Sequence, residues 1–205
     1  MRLGLRSPLP ACWRRLGASL LHLATCLFLL TGPLHQPAFA QSSGESIEIG
    51  QASFETRDDG YYFTGDFDLD LKPRVAEALD RGLTLYFVVE AQLTRYRWYW
   101  FDERTINAVL NYRLSYHALT RQYRVSTGNL QLGFATLAEA LGVMAHVRDW
   151  KVGEHGALRA GEPYAAAVRM RLDTTQLPKP FQINAITSRD WTLESTWKRF
   201  VFEPR

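Results

Sequence analysis

Apolar and polar residues alternate with a period of two along most of the chain beyond residue 46, and this alternation predicts β-strands with one buried face. The two longest stretches place apolar residues at the odd positions of 83–93 and at the even positions of 106–116. A turn is predicted at 57–60, and the last strand is expected to contain a bulge near Lys198-Arg199, where the apolar parity changes. The predicted strands cover residues 47–54, 61–71, 83–93, 106–116, 123–125, 164–172 and 191–202.

Two segments carry helical signals instead. Pro73 through Arg81 starts at a proline and stops before Gly82, as a short helix does. Thr136 and Glu139 have the spacing of a capping box, and the apolar spacing after them predicts a helix to about Val147.

Many short strands and only two short helices predict a mainly β fold. We expect an antiparallel two-sheet sandwich, immunoglobulin-like in its general architecture, rather than an α/β fold. Pro178 and Pro180 lack amide donors, so we place their segment outside any central strand.

The first forty residues have the composition of a secretory signal peptide. Basic residues without any acidic one precede an apolar run from Leu16 to about Gly32, and Ala38-Phe39-Ala40 provides the small residues that a signal peptidase reads. We therefore expect cleavage after residue 40, a periplasmic product, and a single β-sandwich domain over residues 41–205. An uncleaved membrane anchor is the alternative, although the run is shorter than the roughly 20 residues of a usual span.

Removal of this segment changes the charge and the cysteine content. The chain has 24 Lys and Arg against 21 Asp and Glu, a net charge of +3, and the segment carries four arginines and no acidic residue. The remainder has a net charge of −1, which argues against nucleic-acid binding. Cys12 and Cys26 both lie in the segment, so the exported product is expected to lack disulfides, thiolate metal sites and a cysteine nucleophile.

The stretch Thr94-Arg95-Tyr96-Arg97-Trp98-Tyr99-Trp100-Phe101-Asp102-Glu103-Arg104 combines arginines with aromatic residues. Apolar residues are odd-numbered up to Leu93, but the large aromatics that follow are even-numbered. A bulge near Thr94 would return them to the core, whereas a regular strand would display them on its other face. The stretch is a bulged structural hairpin held by arginine–tryptophan stacking, or a docking patch, since Trp, Tyr and Arg are enriched at interface hot spots. The candidate partner-binding residues are Arg95, Tyr96, Arg97, Trp98 and Trp100.

Three long runs resemble a family of small exported proteins of Gram-negative bacteria, catalogued only as a domain of unknown function. These runs are residues 93–102, residues 112–124, and residues 172–185 together with Ser188-Arg189-Asp190-Trp191. The resemblance spans nearly all of the mature chain and implies no known activity and no catalytic residue. Members of the family also resemble one another in lying near genes for a ribosomal-RNA methyltransferase and a nitrogen-type membrane sensor kinase, which implies a role in envelope signalling.

Candidates for reactive chemistry are few. Asp66, Asp68 and Asp70 have part of the spacing of a calcium loop, but Leu71 replaces the glycine that the loop needs. His117 is the histidine on which a hydrolase could be built, with a serine and an aspartate brought together by the fold. We find no nucleophile elbow, phosphate loop, dinucleotide fingerprint or zinc motif, and no cofactor is expected.

Arginines alternate with apolar residues on the predicted strands, which is typical of an exposed face crossed by ion pairs or of a surface for an anionic ligand. These residues are Arg113, Arg121, Arg124, Arg169 and Arg171.

Three hypotheses of function follow. The first is a non-catalytic periplasmic module that docks through the arginine-aromatic hairpin onto an envelope protein, with a membrane sensor kinase as the suggested partner. The second is a carrier that holds a small apolar or anionic envelope ligand between its sheets, and the third is a hydrolase. After signal cleavage we expect no stable membrane insertion, and the oligomeric state is left open.

Overall fold

The structure is a computed structural model, and it describes residues 47–95 and 103–205. The strands are β1 Ile47–Arg57, β2 Gly60–Leu69, β3 Leu85–Arg95, β4 Glu103–His117, β5 Gln122–Thr127, β6 Leu130–Phe134, β7 His146–Glu154, β8 Tyr164–Leu172 and β9 Lys198–Phe202. The helices are α1 Pro73–Asp80, α2 Leu137–Ala145 and α3 Lys179–Thr187, with 3₁₀ turns at Thr174–Gln176 and Arg189–Trp191. The predicted signal peptide lies outside the described residues.

The strands form two antiparallel sheets. One has three strands in the order β1-β2-β7, and the other has six in the order β6-β5-β4-β3-β8-β9. The predicted mainly β fold with two antiparallel sheets is therefore confirmed. Among the described residues, no helix is both long and apolar enough to cross a membrane.

The core lies between the inner faces of the two sheets. Odd residues of β3 and even residues of β4 face inward, as the alternation predicts, and Phe87 and Leu93 are fully buried. Phe54 of β1 joins the two layers, because its ring lies 5.2 Å from the ring of Phe63 in its own sheet and 5.7 Å from that of Phe200 in the other. Apolar burial on this scale is the main stabilising term of the fold.

The two predicted helices are confirmed. Helix α1 has a proline in its first turn and buries Val75, Ala78 and Leu79. Helix α2 begins with the predicted capping box, in which Thr136 and Glu139 satisfy each other's backbone amides. It ends at Ala145 rather than at Val147, because the chain continues directly into β7 at His146.

The structure corrects four predictions, and the first is strand β6, which the predicted strands omit. Helix α3 is additional, since Pro180 indicates a break in a strand but is also tolerated in the first turn of a helix. Strand β7 escapes prediction because two register shifts against β2, and a positive φ of 49° at Asp149, remove its alternation. The last strand covers only Lys198–Phe202, so the change of parity marks the entry into β9 and not a bulge.

Candidate functional site

Strand β3 contains the first two residues of the arginine-aromatic stretch, Thr94 and Arg95. The register between β3 and β4 shifts between Leu93 and Thr94, and the extra residue is Thr105 on β4. Pairing of β3 with β8 continues without a shift through Thr94. Strand β3 is therefore regular to its end, and the bulge expected near Thr94 belongs to the partner strand.

Only one of the predicted partner-binding residues lies within the described part of the chain. Arg95 ends β3, and its guanidinium lies 3.5 Å from the Glu162 carboxylate. Tyr96, Arg97, Trp98 and Trp100 lie outside the described residues.

The outer face of the six-stranded sheet is the surface that leads to this stretch. Even residues of β3 lie on it, together with the odd residues of β4 from Asn107 onward and the odd residues of β8 and β9. Arginine dominates its charged positions: Arg113, Arg124, Arg169, Arg171 and Arg199. Within the described strand residues of this face Glu90 is the one carboxylate, and Glu194 beside Arg171 lies at the margin.

Glu90 lies at the centre of this face and holds two of the arginines. Its carboxylate accepts hydrogen bonds from Nε of Arg169 at 2.5 Å and from Nε of Arg171 at 3.2 Å. Partial burial alone would raise the pKa of Glu90, but the two guanidinium groups outweigh it and hold that pKa below its ordinary value. Arg169 also stacks on Trp197, with its guanidinium carbon 4.5 Å from the ring centroid. Arg169 and Arg171 therefore form the ion pairs that the alternation predicts.

The other arginines on this face form no ion pair with the residues that the structure describes. Arg113 on β4 pairs with Ser126 on β5, and Arg124 lies two residues before Ser126, so the two arginines are diagonal neighbours on one face. Arg199 on β9 is likewise without an ionic partner there, and Arg121 lies in the β4–β5 turn with a φ of 50° rather than on a strand.

The three-stranded sheet has the opposite charge balance. Its strands carry acidic residues that outnumber the basic ones Arg57, Arg148 and Lys151. These acidic residues are Glu48, Glu55, Asp66, Asp68, Asp149 and Glu154. The described part of the chain is thus polarised, with a basic face on the six-stranded sheet and an excess of acidic residues on the three-stranded sheet.

A groove of about 830 Å³ lies on the basic face next to the end of β3. Ala165 and Ala167 of β8 form its floor. Arg199 and Trp197 lie on one side and Gln92, Thr94 and Asn107 on the other, and Glu90 and Arg169 lie at one end. The groove reaches Thr94, the first residue of the arginine-aromatic stretch.

The three calcium candidates, Asp66, Asp68 and Asp70, differ in their surroundings. Asp66 forms a short ion pair with Arg148 and lies 3.9 Å from Nε2 of His146, while Asp68 and Asp70 are exposed. Across residues 47–95 and 103–205, no group of three or more His, Cys, Asp or Glu residues is arranged to hold a metal ion.

The histidines have local partners. Nδ1 of His117 accepts a hydrogen bond from the Thr120 amide at 3.3 Å and lies 3.1 Å from its hydroxyl, which is the geometry of a capped turn. Nδ1 of His146 donates to the Gly142 carbonyl at 2.7 Å, and His155 lies in the turn after β7.

Three contributors to the groove are not identifiable by sequence reasoning. The sequence pattern places Trp197 and Arg199 in one continuous last strand, and it marks Asn107 only as a polar strand position. Their juxtaposition depends on the order β9-β8-β3-β4, which alternation within one strand does not encode. The sequence does offer Glu90 and Gln92, polar residues at even positions of a strand whose odd positions are apolar.

Comparison with known proteins identifies the family of the chain. No curated protein and no solved structure matches it. The family described as domain of unknown function DUF4390 matches residues 44–201, well over half of the 205 residues. The chain therefore belongs to the DUF4390 family.

Proposed function

We propose that the protein is a non-catalytic interaction module of the periplasm that binds an envelope protein through the arginine-aromatic hairpin and the basic outer face of the six-stranded sheet. The observation that carries this proposal is the polarised charge. Arginines without ionic partners among the described residues lie on the face that leads to the hairpin, whereas the acidic residues are concentrated on the other sheet.

This arrangement favours an acidic surface as the docking partner. Charge complementarity guides association and sets orientation, while aromatic and arginine side chains supply most of the binding free energy at an interface. The basic face reaches the end of β3, and the aromatic residues follow directly in the sequence, so we infer that one partner contacts both. A membrane sensor kinase is our first candidate, and it is suggested by the family resemblance alone.

The alternative functions have less support. A carrier would hold its ligand between the sheets, but fully buried side chains such as Phe63, Phe87 and Met170 occupy that space. A hydrolase built on His117 would need a serine and an aspartate beside this histidine. The ring of His117 lies 3.1 Å from the Thr120 hydroxyl, and because His117 ends β4, this contact caps the turn that follows.

The experiment places a photo-crosslinking amino acid at Val109, which is half exposed on the basic face, and identifies the adduct formed in living cells. We expect an adduct with one envelope protein that is lost in Trp98→Ala and Trp100→Ala variants which still fold. Leu119→Ala is the matched control, because Leu119 is 93% exposed in the β4–β5 turn. An adduct unchanged by both tryptophan substitutions would remove the hairpin from the interface.

A further inference from the structure

We infer that the groove on the basic face binds an extended acidic peptide segment. This inference rests on the proposed function and names the part of the partner that the groove receives.

The shape of the groove follows from one row of paired residues across four strands. Arg199 pairs with Ala167, Ala167 with Gln92, and Gln92 with Asn107. Paired side chains on one face begin about 5 Å apart, so the alanine leaves a trough about two strand spacings wide between Arg199 and Gln92. Ala165 continues the floor along β8. A trough that follows one strand fits a single extended chain.

The walls of the trough carry the groups that recognise a peptide backbone. Gln92 and Asn107 each have an amide that both donates and accepts hydrogen bonds, which matches the alternating N–H and C=O groups of an extended chain. The polar lining, which also includes Thr94, does not suit a lipid acyl chain.

Arg199 gives the site its preference for negative charge. The residue is exposed and has no ionic partner among the described residues, so its guanidinium is available for a bidentate contact with an Asp or Glu side chain. Arg169 cannot serve in the same way because Glu90 already engages it. The stacking of Arg169 on Trp197 also occupies an aromatic face that a saccharide would use, which favours a peptide over a glycan.

The test uses protein purified from the cell envelope and a phage-displayed library of random short peptides. We expect the selected peptides to be enriched in Asp and Glu. Their affinity should fall by at least about tenfold in Arg199→Glu and become undetectable in Ala167→Trp, which fills the trough. Arg121→Glu is the charge-matched control in the β4–β5 turn, and it should retain affinity within about twofold.

Selection without acidic enrichment, or affinity unchanged in Arg199→Glu, would overturn the inference. So would binding of soluble glycan fragments in place of peptides. Arg199 is exposed, so its substitution keeps the test decisive even where Ala167→Trp impairs folding, which circular dichroism would detect. Peptide binding that persists without any crosslink from the hairpin would refute the proposed docking but not the groove. Crosslinking from the hairpin without any peptide binding would refute the peptide-binding groove but leave the proposed docking intact.

Discussion

The Glu90 carboxylate lies 2.5 Å from Nε of Arg169, and this pair fixes the centre of the basic sheet face. The same carboxylate also pairs with Arg171, which has a second ion pair with Asp173 at 3.6 Å.

Replacement of Glu90 by Gln should destabilise the fold. The two arginines would lose their shared partner while staying partly buried, at a cost of about 1–3 kcal/mol in the free energy of unfolding. Urea denaturation at neutral pH measures this difference. Glu48→Gln is the matched control on an exposed position of β1 and should change stability by less than about 0.5 kcal/mol.

The contribution of Glu90 should disappear in acid. Its pKa in the folded state lies below the ordinary value of 4.5, so its stabilisation is fully present above that pH and is lost as the pH falls through the folded-state pKa. The stability difference between wild type and Glu90→Gln should therefore shrink as the pH falls below 4.5 and through the folded-state pKa. A difference that is constant from neutral to acidic pH would show that the carboxylate charge does not cause it.

The Tyr123 hydroxyl should lose its proton at a higher pH than an ordinary tyrosine does. Its hydroxyl donates to Asp80 at 2.7 Å, and this hydrogen bond, with a smaller effect of burial, raises the pKa of Tyr123 from 10.0 to about 12. The stabilisation is fully present below pH 10 and is lost as the pH rises through about 12. Tyr123→Phe should cost about 0.5–1 kcal/mol at neutral pH and remove the latest phase of tyrosinate absorbance in an alkaline titration. Titration of all folded-state tyrosines near pH 10 would contradict the assignment.

Two glycines should respond to alanine in opposite directions. A Cβ on Gly60 would collide with the carbonyl oxygen of Gly153 on β7, and its φ of 155° is unusual for other residues, so we expect a loss of at least about 2 kcal/mol. At Gly142 in α2, no atom beyond its chain neighbours and the backbone of its own helix lies within 4 Å of the position that an added methyl group would occupy, so alanine should stabilise the helix by about 0.5–1 kcal/mol. Thermal unfolding of both variants checks the pair, and equal shifts of the same sign would contradict it.

Replacement of Arg113 and Arg124 by glutamate should weaken binding to the partner without changing the stability of the fold. Neither residue has an ionic partner among the described residues, so the double variant with glutamate should unfold within about 0.5 kcal/mol of wild type. Crosslinking to the partner should nevertheless fall strongly, and raising the ionic strength should weaken it in wild type as well. Unchanged crosslinking in the double variant would place the interface elsewhere.

The strand pattern is largely readable from the sequence where one face of a strand packs against the core. Apolar residues occupy the odd positions of β3 and the even positions of β4 because one face of each strand is buried in the core. The capping box of Thr136 and Glu139 identifies the start of α2 without tertiary information. Strand β7 is not readable, because register shifts and the backbone of Asp149 are imposed by its pairing with β2.

Only part of the candidate site could be predicted from the sequence. The change of parity after Leu93 is compatible with a bulge in β3 or with a regular β3. The pairing of β3 with both of its neighbours shows that the extra residue lies on β4. The groove could not be predicted, since Arg199 and Asn107 are distant in sequence and meet only through the order of the strands.

The central claim is that the hairpin and the basic face dock onto an envelope protein. In-cell photo-crosslinking from position 98 or 100, with mass spectrometry of the adduct, tests it most directly, with position 68 on the acidic sheet as the reference. We predict one envelope protein captured from 98 and 100 and not from 68. No adduct from the hairpin positions, or the same adduct from all three, would contradict the claim.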